Sequence, residues 1–220
     1  MSTRYGFYVD TRGCTGCKAC QIACKDKNQL PVGVLWRRVI EVQGGSWNPR
    51  RPVFADQAAA GPDGLLPVWQ TSAFAYFISA ACMHCEAPIC VEVCPTQALQ
   101  QRQDGIVWID SQRCIGCRYC EMACPYKAPQ FDPAQGVMTK CDFCFDLLDQ
   151  GSQPACVSAC QMRVLHFGDL AVLRAQYGDQ AGLYPLPDPA LTGPALVLTS
   201  HRDARRHDQS EAHIGNQEEI

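Results

Sequence analysis

No apolar run in the 220 residues approaches the roughly 18 needed to cross a bilayer as a helix. Residues 74–82 are too few for that and read as a buried strand. Residues 1–5 carry neither an apolar signal region nor twin arginines. The expectation is therefore a soluble polypeptide with no export address, whose place at a membrane would be borrowed from a partner. A basic excess is missing too: 19 Lys and Arg stand against 22 Asp and Glu, a net charge of −3. Without a basic patch, a nucleic-acid partner is not expected. Charged residues are only 19% of the sequence, below the usual quarter, which leaves surface for protein partners to cover. No nucleophile or acid–base constellation is visible, so the polypeptide is not expected to be an enzyme on its own.

Cysteine is what the sequence has in abundance. Cys114, Cys117, Cys120 and Cys124, followed by Pro125, spell C-x2-C-x2-C-x3-C-P, the bacterial ferredoxin run that binds iron–sulfur clusters. Cys14, Cys17, Cys20 and Cys24 repeat the spacing. Cys82, Cys85, Cys90 and Cys94, followed by Pro95, form a relaxed version, C-x2-C-x4-C-x3-C-P. Cys141, Cys144, Cys156 and Cys160 form a stretched one, C-x2-C-x11-C-x3-C. These quartets use all 16 cysteines. Disulfides are disfavoured by such closely repeated gaps and by the missing secretory signal. The last quartet alone resembles a zinc ribbon, but beside three ferredoxin-like quartets iron–sulfur is the better reading. Four [4Fe–4S] clusters are the expected cofactors.

A tight loop can present three thiolates to a cubane, and the fourth cysteine points away to serve the other cluster of a pair. Gly16 and Gly116, in the first gap, are expected in left-handed turns. Pro95 and Pro125 would fix the departure of the backbone from the cluster. Tyr5–Asp10 and residues 105–110 read as strands, each ending in Asp with a cysteine four residues later, an internal repeat. Residues 98–109 read strand, Asp104-Gly105 turn, strand. Residues 39–42 read as a further strand, and residues 165–175 allow a short helix.

The fold class expected is α+β: two interleaved bacterial-ferredoxin-like two-cluster units with short strands, small helices and long loops. Residues 1–43 would be half of an outer unit, 44–72 an insertion loop, 73–130 the inner unit, 131–185 the rest of the outer unit and 186–220 a C-terminal tail. Crossed ligation then gives four sets. Cys14, Cys17, Cys20 and Cys160 form one, and Cys24, Cys141, Cys144 and Cys156 its neighbour. Cys82, Cys85, Cys90 and Cys124 form the third, and Cys94, Cys114, Cys117 and Cys120 the fourth. Spacing supports crossing strongly and the first-with-fourth pairing less strongly. Lys18, Lys25, Arg118, Lys127 and Lys140 lie near ligands and are candidate tuners of potential. Tyr119, Tyr126, Phe131, Phe143 and Phe145 are expected to shield clusters from water. His84 reads as a packed or exposed residue. Trp47, Phe54 and Trp69 in the long loop are equally good as cluster covers or a partner surface. The basic run at 201–207 reads as a solvated tail.

The stretches Y-G-F-Y-V-D at 5–10, C-T-G-C-K-A-C at 14–20 and F-A-Y-F-I-S at 74–79 carry a family resemblance. So do C-I-G-C-R-Y-C-E-M-A-C-P-Y-K-A-P-Q at 114–130 and M-T-K-C-D at 138–142. With them the sequence closely resembles the four-cluster iron–sulfur subunits, the B subunits, of the anaerobic dimethyl sulfoxide reductases, over about residues 5–185. Gln161 stands where that family usually has proline. The resemblance implies a complex in which this subunit wires a menaquinol-oxidising membrane subunit to a molybdopterin-containing catalytic subunit, peripheral on the bacterial inner membrane. It also implies the first-with-fourth pairing. Nitrate reductase relatives carry tryptophan at the position of Cys117, so cysteine here implies a four-iron centre. Polysulfide, tetrathionate, arsenate and trimethylamine N-oxide reductase subunits, or a free polyferredoxin carrier, are the alternatives.

Overall fold

The computed structural model describes residues 3–45, 73–204 and 212–220. Trp47, Phe54 and Trp69, and residues 205–207 of the basic run, lie outside the described residues. Strand β1 (Tyr5–Asp10) is aromatic and β-branched, and its four central residues are buried. It is the middle strand of a three-stranded sheet, antiparallel to β8 (Leu165–Asp169) and parallel to β9 (Leu196–Thr199). Strand β2 (Arg38–Gly44) is the middle strand of a second sheet, antiparallel to both β3 (Phe74–Ala80) and β10 (Ala212–Ile214). Ile40 faces Ile78 and Val42 faces Tyr76 across the β2–β3 ladder. These residues join Phe7, Val9, Leu165, Leu196 and Leu198 in the main core. Each such side chain contributes about 1.5–3 kcal/mol by leaving water.

Two hairpins complete the sheets: β4 (Leu99–Gln101) with β5 (Val107–Ile109), and β6 (Gln130–Asp132) with β7 (Val137–Thr139). In the first, the Asp104 carboxylate accepts the Ile106 N–H at 3.1 Å, closing the expected turn. Helices are short. α1 (Ala19–Lys27) follows the first two cysteines, carries Cys20 and Cys24, and packs on α5 (Ala155–Ser158), which carries Cys156. α2 (Ile89–Glu92), carrying Cys90, packs in the same way on α3 (Tyr119–Ala123), carrying Cys120. α4 (Phe145–Leu148) follows Cys144.

The two halves of the molecule share a wiring rule. β4 follows the second quartet and pairs antiparallel with β5, which precedes the third. β8 follows the fourth quartet and pairs antiparallel with β1, which precedes the first. The antiparallel pairing that flanks the second and third quartets thus recurs between the strands that flank the fourth and the first.

Two expectations need correction. Residues 165–175 are not one helix: β8 comes first, and α6 (Leu170–Tyr177) begins only after Asp169, whose carboxylate accepts the N–H groups of Ala171 and Val172. That cap fixes the boundary, and pairing with β1 claims the residues before it. Residues 186–220 are not simply a tail, since they supply β9 and β10, and Leu196, Val197 and Leu198 are buried.

Candidate metal centres

The first C-x2-C turn of each quartet adopts a left-handed conformation at the residue before its second cysteine. Gly16, His84, Gly116 and Phe143 have φ of 70°, 44°, 66° and 65°. Two of the four are the expected glycines. A Cβ on Gly16 would lie 2.5 Å from the Phe77 ring, and one on Gly116 would strike the Gly136 carbonyl. His84 and Phe143 hold the same strained shape through burial. Phe143 stacks on Phe7 at 4.1 Å, while His84 meets it edge-on at 5.1 Å and accepts the Val107 N–H at 3.0 Å through Nδ1. Lys18 and Arg118 are left-handed as well and start α1 and α3, which aim Cys20 and Cys120 inward.

Three of the four fourth cysteines share a second turn, the exception being Cys24 inside α1. Three residues after Cys94, Cys124 and Cys160 stand Gln97, Lys127 and Arg163, all left-handed. Each donates its N–H to the cysteine's own carbonyl, at 3.2, 3.0 and 3.2 Å. Gln161 in place of proline leaves that turn intact.

These turns bring cysteines from different quartets together. Cys14, Cys17, Cys20 and Cys160 line one pocket, walled by Val39, Met162, Val164 and Leu165. Cys114, Cys117, Cys120 and Cys94 line another, walled by Leu99, Ile109, Ile115 and Met138. The Met138 N–H donates to Cys114 Sγ at 3.3 Å, and Ser79 Oγ shares a hydrogen bond with Cys20 Sγ at 3.2 Å. The other two sets are in electrostatic reach of each other. Burial pushes the Cys24 thiol up to about 12, with repulsion from Cys156 and Cys144 adding to it. Burial likewise raises Cys90 to about 12 and Cys85 to about 11, helped in both by Cys82 and Cys124. Cys82 and Cys141 share an apolar cluster with Ala81 and Ala128, which is where the two halves meet. Cys20 feels both Cys160 and Cys156, joining the first set to its neighbour.

The donor sets suit a large polynuclear core. Four soft thiols from two different quartets, walled by apolar side chains, fit an iron–sulfur cube.

Over all 220 residues the sequence is 41% identical to the B subunit of anaerobic dimethyl sulfoxide reductase from Escherichia coli (strain K12), covering 100% of each. It belongs to the family of anaerobic dimethyl sulfoxide reductase B subunits. The corresponding subunit of Haemophilus influenzae is 44% identical over 217 residues, 99% of each polypeptide. A thiosulfate reductase electron transfer subunit of Salmonella typhi is 40% identical over 171 residues, 77% of this polypeptide and 78% of that one. The family described as a 4Fe-4S dicluster domain matches residues 73–170, the stretch that contains the last three quartets.

The expected tuners of this member of the B-subunit family differ in placement. Lys140 is buried and donates to the Val107 carbonyl and, at 2.7 Å, to that of Cys141. Lys25 donates to the carbonyls of Pro31 at 2.6 Å and Val34 at 3.2 Å. Lys18 pairs with Glu219, Arg118 lies over the Phe131 ring at 4.2 Å, and Lys127 is exposed. Of the expected shields, Tyr126 and Phe143 are buried, whereas Tyr119 is exposed at the rim of the Cys117 cavity. Sequence reasoning missed Arg37, which lies outside every motif and is fully enclosed.

Exposure sorts the sets. Cys24, Cys141, Cys144 and Cys156 are all buried, while Cys17 and Cys117 are exposed. Ile22 and Met162 are exposed apolar neighbours at the first end, and Ile115, Tyr119 and Met122 at the other. Among the described residues no helix is long and apolar enough to cross a membrane.

Proposed function

We propose that this polypeptide is the electron-transfer subunit of a membrane-associated reductase complex and holds four [4Fe–4S] clusters. The ligand sets are Cys14, Cys17, Cys20, Cys160; Cys24, Cys141, Cys144, Cys156; Cys82, Cys85, Cys90, Cys124; and Cys94, Cys114, Cys117, Cys120. Each cluster, when bound, takes up and releases one electron at a time. The protein's own part is to supply thiolates, exclude water from the middle of the row and leave its two ends accessible. Proximity of Cys20 to Cys156 and of Cys82 to Cys141 supports that order.

The observation that carries the reading is the crossing in both terminal cavities. Cys160 stands among Cys14, Cys17 and Cys20, and Cys94 among Cys114, Cys117 and Cys120. A disulfide framework or a local zinc ribbon gives no reason for either exchange. In this reading residues 73–130 are the inner two-cluster unit, and 1–43 with 131–185 the outer one, with β9 and β10 folding the C-terminal stretch onto it.

Following the family, the partners are a molybdopterin-containing catalytic subunit and a membrane subunit that oxidises menaquinol. The complex sits on the bacterial inner membrane, with dimethyl sulfoxide as the substrate. Exposed apolar side chains at both ends of the row favour docked partners over a free polyferredoxin carrier. Within a complex purified under anaerobic conditions beside a molybdenum-containing subunit, this subunit itself should hold about 16 iron atoms and about 16 labile sulfides. Stoichiometric zinc with little iron would contradict the assignment.

A further inference from the structure

Arg37 presents a buried charge without an evident counterion. Only 2% of its surface is exposed. Its Nη1 donates to the Ser79 carbonyl at 3.3 Å and to Ser79 Oγ at 3.1 Å, and its Cζ lies over the Phe7 ring at 4.6 Å. Nε and Nη2, also enclosed, have no hydrogen-bond partner among the described residues. Burying a guanidinium is costly unless opposite charge and acceptors compensate it.

The acidic groups around it are cysteines. Burial disfavours its charge, but Cys156, Cys20, Cys141 and Cys24, when ionised as cluster ligands are, lie close enough to outweigh that and hold its pKa above the ordinary value. Cys20 belongs to the first ligand set and the other three to the second. Arg37 therefore stands between two centres. Ser79 extends its reach: with Nη1 donating to Ser79 Oγ, the hydroxyl proton is free for Cys20 Sγ, 3.2 Å away.

We propose that Arg37 is the buried countercharge of the two outer-unit clusters and raises their reduction potentials, directly and through Ser79 to Cys20. The proposal rests on the four-cluster reading. Reduction adds negative charge close to a fixed cation in a medium of low dielectric, which favours the reduced state. Because arginine keeps its proton at any working pH, its contribution does not titrate.

The test is a redox titration of membranes containing the whole complex, followed by electron paramagnetic resonance, for wild type, Arg37→Gln, Arg37→Lys and Ser79→Ala. In Arg37→Gln at least one outer-unit centre should become tenfold or more harder to reduce, about 59 mV for one electron. The centre holding Cys94 should not move, and Arg37→Lys should restore most of the shift. Ser79→Ala should lower the Cys20 centre by a smaller amount and leave the others in place. Unchanged potentials in a fully loaded Arg37→Gln complex overturn the proposal. Where Arg37→Gln does not assemble, Ser79→Ala decides: a lowered Cys20 centre upholds the proposal and an unshifted one overturns it. Iron content of the wild type reports separately on the four-cluster reading, since a count well below about 16 contradicts that reading whatever the variants do.

Discussion

Cys117 is the exposed member of a set whose other members are half-buried or buried. Its neighbour Gly116 has no room for a side chain, because a Cβ there would meet the Gly136 carbonyl. The turn that presents Cys117 is thus fixed by backbone packing, and the thiol itself is not needed to hold it. Replacing Cys117 with Ser should leave a folded protein with three strong ligands, Cys94, Cys114 and Cys120, at that site. The expected outcome is loss of about one iron per subunit and a [3Fe–4S] signal in the oxidised state, with the other centres retained. Electron paramagnetic resonance with iron analysis checks it, and an intact four-iron centre in a folded variant would remove Cys117 from the ligand set. Arg37 and Arg38 show how much a single position matters. Adjacent in sequence, they part at the start of β2, where side chains alternate between faces. Arg37 turns inward to Ser79, and Arg38 donates to the Tyr126 carbonyl at 2.9 Å. Nothing in V-L-W-R-R-V separates them, because what distinguishes Arg37 is a set of cysteines up to more than a hundred residues away.

Elements were readable where their cause is local. Y-G-F-Y-V-D forms β1, the Asp104-Gly105 turn joins β4 to β5, and F-A-Y-F-I-S forms β3. The left-handed glycines in C-T-G-C and C-I-G-C follow from spacing alone. His84 and Phe143 in the same role do not, since their strain is met by packing with Phe7 and Val107. β9 was missed because its partner is β1, about 190 residues earlier, although the apolar run P-A-L-V-L-T at 194–199 was there to read. The division at Asp169 was also in view: an aspartate before L-A-V-L is a helix start signal. Its carboxylate accepts two N–H groups, at 2.8 and 3.3 Å. Asp169→Ala should therefore cost about 1 kcal/mol of stability with iron content unchanged. Denaturant unfolding of the loaded protein checks this, and simultaneous loss of iron would show that α6 does more than close the outer sheet.

At the scale of the molecule, the buried middle and exposed ends of the cysteine row define what the protein can do. Ile115 and Tyr119 are exposed apolar residues close to Cys117, and Met122 stands on the exposed side of α3. A charge placed there should disturb docking while leaving the ligands alone. The family resemblance implies that the Cys117 end faces the membrane partner, and under that orientation Met122→Glu is expected to lower quinol-driven turnover of the complex at least tenfold, while a soluble dye still feeds the catalytic partner at near wild-type rate. Paired activity assays on membranes check it, and equal loss in both assays would mean damage beyond the docking face. Electron transfer along the row depends on which cysteines share a centre. Diffraction from crystals of the intact complex at the iron absorption edge locates the centres directly. Four compact iron peaks are expected, one of them among Cys14, Cys17, Cys20 and Cys160 and another among Cys94, Cys114, Cys117 and Cys120. A peak held by the four consecutive cysteines of one quartet, or a zinc-edge signal at Cys141, Cys144, Cys156 and Cys160, would contradict crossed ligation.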